Sequence, residues 1–178
     1  MDDNRKLTDI DRAKFIYLFK ILKNQGDEEY DYDNMIKALQ YGFELHYKDV
    51  FDCLFDETLS EAECREVLDI LEMYRGIIYS YKNLKALGKL DKLKEEDVRF
   101  PGFDGNNEGK QMFYTSYFIE DMNRYAEIAE LSHGYYNSHW PMLSEYRLKL
   151  EKWKEYKNTL ADRYRMEEAD VIALLKCK

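Results

Sequence analysis

The stretch "SEAECREVLDILEMYRGIIYSYKNL", residues 60–84, decides the fold. Ser60 followed by Glu63 is a capping box, in which side chains and backbone satisfy each other across the first turn. Val67, Ile70 or Leu71, Tyr74, Ile77 or Ile78, Tyr81 and Leu84 then recur at three- and four-residue spacing. That spacing draws one apolar stripe along a helix. Lys82 and Lys85 suit the negative end of its dipole, and Gly88 supplies a stop.

The same period extends in both directions from this helix. Thr8, with Asp11 three residues on, opens a first helix whose run "DRAKFIYLFKILK" (11–23) is apolar on most sides. Such a helix is expected to be deeply buried or shared between subunits. A turn at Asn24–Gly26 ends it. Ile36, Leu39 and Phe43 mark a second helix that starts among Tyr30, Asp31 and Asp33, and a short helical piece follows in "KDVFDCLF" (48–55). Beyond Gly88 lies the longest irregular stretch, in which Val98–Phe100 reads as a short extended segment. A fourth helix is expected from near Asn107 to about Glu130. Met112, Ile119, Met122 and Ala126 lie on one of its faces, and Phe113, Tyr117, Tyr114, Phe118 and Tyr125 crowd the other. Pro141 suits the first turn of a fifth helix, where its missing N–H costs nothing. That helix carries Leu143, Tyr146, Leu150 and Trp153. Ala169, Ile172 and Leu175 mark a short last helix. The expected fold is all-α, a bundle of about five to seven helices in a single domain over 1–178. Within it we expect an N-terminal lobe at 7–87, a glycine-containing connector at 88–106 and a C-terminal lobe at 107–178.

Composition limits function. The chain has 178 residues and a formal charge of −9. A globally negative field disfavours nucleic acid and anionic membrane, because phosphate backbones are bound by Lys and Arg that displace counterions. Three cysteines without a Cys-x-x-Cys spacing argue against a disulfide framework or a zinc site and for a reducing cytoplasm. The start "MDDNRKLTDI" has no apolar signal region, and no long apolar run follows, so no membrane span is expected. Sixteen tyrosines are the strongest anomaly. Tyrosine buries a ring while its hydroxyl keeps a polar partner, which suits wet interfaces, so a homo-oligomer is expected. A tyrosine-lined ligand cleft is the rival reading.

The motifs that invite chemistry are near-misses. "GNNEGKQ" (105–111) resembles a phosphate loop, but its glycines are one residue too close and Gln111 stands where a hydroxyl must hold magnesium. Asp104, Asn106, Glu108 and Gly109 follow the first half of a calcium loop, but position twelve is Thr115 in place of the bidentate glutamate. The expected role of the loop is a connector, with Asn106 or Asn107 capping the fourth helix. Glu130 and His133 form a single Glu-x-x-His, where di-metal bundles use two. No metal or other cofactor is expected. Lys82, Lys85, Lys89, Lys92 and Lys94 form a basic run that reads first as a solvated face, and secondly as a local phosphate contact. Asp69, Glu72 and Arg75 are spaced as an acid pair with a cation; their commoner use is a solvated salt-bridged face or a helix-packing contact. The loop "AELSHGYYNSHWP" (129–141) gathers imidazoles and large rings, as binding loops do.

Several stretches resemble the YfbU family: "LTDIDRAKFIYLFKIL" (7–22), "DILEMYRGIIYSYKNL" (69–84), "VRFPGFDGNNEG" (98–109), "FIEDMNRY" (118–125) and "HGYYNSHWPMLSEYRLKLEKW" (133–153). The most specific match joins Asp69, Ile70, Glu72, Met73 and Tyr74 to Gly102, Phe103 and Asp104 and to His133 and Gly134. The resemblance implies a mostly helical fold, a bacterial cytoplasm and oligomers, and it supplies no catalytic residues. It departs at Tyr17 and Leu18, where the family tends to carry a polar Asn-Gln pair.

Together these readings lead to an expected homo-oligomeric interaction or regulatory protein without chemistry of its own. The alternative is an enzyme or small-ligand binder with its pocket between the third helix and the loops 102–107 and 133–140. The candidate ligand or partner site comprises Asp69, Glu72, Tyr74 and Arg75 on the helix, Phe103 and Asp104 on the first loop, and His133, Tyr135, Tyr136, His139 and Trp140 on the second.

Overall fold

A computed structural model describes residues 6–51, 54, 58–159 and 162–177. The described residues form seven α-helices with short 3₁₀ and π turns; one isolated parallel bridge, Phe103 with Asn137, is the extent of β pairing among them. The fold is all-α. The chain divides into two compact units, Met1–Glu57 and Thr58–Lys178. The division thus falls before the third helix, and residues 88–106 lie inside the second unit.

In the first unit, α1 spans Asp9–Asn24 and α2 spans Tyr32–Tyr41. Thr8 and Asp11 form the expected capping box, Asp31 caps α2, and Gly42 ends α2 in the left-handed region at φ 74°. A 3₁₀ stretch, Glu44–Phe51, follows. The remainder of the expected 48–55 piece, Cys53 included, lies largely outside the described residues. Phe19 meets Tyr32 at 5.5 Å between ring centres, and Phe15 meets Phe51 edge-on at 6.0 Å. Lys23 Nζ pairs with Asp33 at 2.6 Å. The deep burial expected of α1 is not found. It has no buried side chain, although Leu39 of α2 is fully buried.

In the second unit, α3 (Glu61–Ala86) is the central element. It contacts α4 (Gly109–Ser116), α5 (Ala126–Ser132), α6 (Leu143–Thr159), α7 (Glu168–Leu175) and a 3₁₀ turn at Glu95–Val98. Every member of its predicted stripe is buried, and the Ser60–Glu63 capping box forms. Trp153 of α6 lies where a Cβ on Gly76 would stand, 2.3 Å from it, so a glycine lets the indole reach the α3 backbone. Ser80 is fully buried; its hydroxyl donates to Gly76 O and accepts from Met166 N at 3.0 Å, tying α3 to the segment before α7.

Two expectations are corrected. Val98 closes the 3₁₀ turn, and the chain turns extended only at Arg99. The fourth helix is not continuous from 107 to 130. It runs as α4, widens into a π turn at Tyr117–Asp121, and breaks where Asn123 (φ 51°) and Tyr125 (φ 53°) take left-handed backbone before α5. One straight helix cannot bring apolar residues on two faces to the same core, and the break re-aims Tyr125 toward α3.

Candidate functional site

The candidate residues separate into two built clusters and an exposed rim. The first cluster gathers around Glu72 of α3 and draws its partners from residues 125, 127, 163 and 164. Oε1 of Glu72 accepts from Arg163 Nη2 at 3.1 Å and from the Tyr164 hydroxyl; Oε2 accepts from Tyr125 at 3.4 Å and lies 3.5 Å from Arg75 Nη1. Arg75 Nε also donates to buried Glu127 at 2.6 Å, and its guanidinium sits 4.0 Å over the Tyr125 ring. Burial disfavours the Arg75 cation, but Glu127 and Glu72 outweigh it and raise its pKa. Burial, reinforced by the charge on Glu72, pushes Tyr125 up to about 12. The hydroxyl therefore stays a donor at neutral pH. Both oxygens of Glu72 are occupied, which is the arrangement of a packing tie. Asp69 is exposed and takes no part.

The second cluster is the glycine loop. Tyr74 packs edge-on against Phe100 at 5.0 Å and Tyr146 at 5.9 Å, and Phe103 closes on Tyr146 at 5.4 Å. All four rings are buried, and burial first of all raises the pKa of both Tyr74 and Tyr146. The Tyr146 hydroxyl donates to Gly102 O at 2.6 Å. Gly102 has φ 91°, and a Cβ there would lie 2.0 Å from Tyr136 O, so two backbones meet with no space for a side chain. Phe103 N donates to Tyr136 O and Ser138 N to Phe103 O, at 2.9 and 3.0 Å. The loops 102–107 and 133–140 are thus zipped to each other.

The carboxylates of the calcium-like motif are committed locally. Asp104 accepts from Asn106 N at 3.1 Å and from the Asn107 side chain, which lowers its pKa. Asn107 therefore serves Asp104, and α4 begins after Glu108 without the expected asparagine cap. Glu108 is buried; one oxygen accepts from Met142 N and Leu143 N, both at 2.8 Å, and the other from Asp104 N at 3.1 Å. It is the N-terminal cap of α6, supplied from thirty-odd residues away. Among the described residues, no group of three or more His, Cys, Asp or Glu is placed to hold a metal. Glu130 of the Glu-x-x-His pairs with Lys82 at 2.6 Å.

Tyr136 is buried in this zip, whereas His133, Tyr135, His139 and Trp140 are exposed. His133 ends α5 in left-handed backbone, and the Tyr135 hydroxyl shares a 2.6 Å hydrogen bond with His139 Nε2. The structure links Tyr74 to Phe103 through Phe100 and Tyr146, and sets Glu72 beside Arg75 in the other cluster.

A cleft of about 640 Å³ opens elsewhere in the second unit, between the 92–101 segment, α6 and α7. Of the predicted set it takes only Tyr74. Its cations Arg99, Lys149 and Lys176 escaped the sequence reading, although Lys149 carried a signal. It sits beside Leu150 and three residues after Tyr146, on the buried stripe of α6, where a lysine needs a reason.

The model of the YfbU domain matches residues 5–176. The UPF0304 protein MJECS11 of Methanocaldococcus jannaschii is 34% identical over 168 residues, an alignment covering 93% of this chain and 98% of that protein. No helix among the described residues is long and apolar enough to cross a membrane. Matched by that family model along nearly its whole length, this chain belongs to the YfbU family.

Proposed function

We propose that the protein is a homo-oligomeric interaction module whose task is binding and whose self-association runs through α1. One observation carries this reading. Ile10, Tyr17, Leu18 and Ile21 project from a single face of α1, and each is more than half exposed. The opposite face of α1, with Phe15 and Phe19, packs on the rest of its unit. A folded chain gains nothing from holding such a stripe in water, and contiguous exposed apolar surface marks interaction sites.

A second copy fits this face. Antiparallel pairing about a two-fold axis, the commonest oligomer symmetry, covers each stripe with its equal. The test is sedimentation equilibrium at micromolar concentration. The wild type is expected as an oligomer and the Tyr17→Glu, Ile21→Glu double variant as a folded monomer. A wild type that stays monomeric, or a variant that stays assembled, removes the reading.

A further inference from the structure

The cleft of about 640 Å³ has the size of a small-molecule site, for which the usual range is roughly 300–1,000 Å³. Hydrogen bonds tie its walls to one another. Glu168, at the start of α7, accepts hydrogen bonds from the backbone N–H groups of Asp91, Lys92 and Leu93 at 2.8–3.0 Å. On the far side, Lys152 Nζ reaches Ala173 O at 3.3 Å, joining α6 to α7.

The lining has two characters. Tyr74, Leu93, Ile172 and Leu175 give buried or half-buried apolar surface. Lys92, Arg99, Lys149 and Lys176 add cations. Glu145 offsets Lys149, with which it pairs, and Glu168 lies close enough to Lys92 for each to feel the other. Arg99 and Lys176 form no ion pair among the described residues, and Asp97 is the one carboxylate in the described lining. An acidic chain that gathers free cations beside an apolar hollow repels anions generally and accepts them locally.

We infer that this cleft binds a small amphipathic organic anion, its carboxylate or phosphate head held by Arg99 and Lys176 and its apolar body laid against Tyr74, Leu93 and α7. Arg99 offers the planar fork that matches either head group, and Lys176 adds a point charge. The apolar walls distinguish this ligand from a bare inorganic anion.

Isothermal titration of the full chain with octanoate, octyl phosphate, octanol and inorganic phosphate tests the assignment. At least one of the two amphipathic anions is expected to bind, at least about tenfold more tightly than octanol or inorganic phosphate. Which of the two wins identifies the head group. The Arg99→Gln, Lys176→Gln double variant changes only exposed side chains and is expected to lose about tenfold in affinity, with circular dichroism unchanged. Asp97→Asn is expected to bind more tightly. Absence of binding by both anions, equal binding of octanol or of inorganic phosphate, or full affinity in the folded double variant would overturn the inference.

Discussion

Single carboxylates hold distant segments of this chain together. Glu108 reads locally as a calcium-loop ligand, yet it is buried and caps α6. Glu108→Ala leaves the N–H groups of Met142 and Leu143 unpaired and is expected to cost about 1–3 kcal/mol in urea unfolding. Glu108→Gln keeps an acceptor and is expected to cost less. Glu168 makes three backbone contacts that hold its pKa below the usual glutamate range. A depressed carboxylate stabilises the fold above its unfolded pKa, near 4.3, and that contribution is lost as pH falls through the lower folded value. Thermal melts of Glu168→Gln are therefore expected to show a lower Tm than wild type at neutral pH, with the difference shrinking as pH falls below about 4.3. A difference independent of pH would show that the carboxylate charge is not the source. Glu72 also ties distant segments: its spacing from Arg75 is legible in the sequence, but its partners Tyr125, Arg163 and Tyr164 come from two other segments.

At the scale of elements, α3 is the part the sequence predicts best, and Gly76 is its exception. Glycine in a helix interior costs about 1 kcal/mol relative to alanine, so propensity alone recommends replacing it. Trp153 reverses that preference, because a Cβ would stand 2.3 Å from its ring. Gly76→Ala is expected to be destabilising by a net 1 kcal/mol or so, since overpacking a tight core costs roughly 1–3 kcal/mol. Chemical denaturation followed by Trp fluorescence measures it, and a stabilised variant would mean that α6 yields easily. The break between α4 and α5 is the element that periodicity missed. Its apolar positions keep helical spacing across residues 112–126; Asn123 is a residue type that tolerates left-handed backbone, but nothing local marks Tyr125 as left-handed. The reversal is fixed by where Tyr125 must go, onto Arg75.

At the scale of the molecule, the tyrosines divide into buried and exposed rings. Tyr74 and Tyr146 close the core of the second unit, which accounts for them without a partner. Tyr17 is not accounted for in this way, being two-thirds exposed on α1. If α1 pairs with its copy, Tm rises with protein concentration, since assembly stabilises the folded form by mass action. The Tyr17→Glu, Ile21→Glu variant is expected to lose that dependence. A concentration-independent Tm in the wild type would leave the stripe without a self-partner.

The sequence by itself determined the all-α class, the capping boxes at Thr8 and Ser60 and the buried stripe of α3. These follow from interactions within a few residues and from a period that burial imposes on a helix. It also brought Glu72 and Arg75 together, because three residues separate them on one turn. Only the tertiary structure decided that Glu108 is a cap, that the loops 102–107 and 133–140 zip together, and that Arg99 and Lys176 share a cleft with Tyr74. Those contacts join residues far apart in the chain. Their energies depend on side-chain packing that no local spacing encodes.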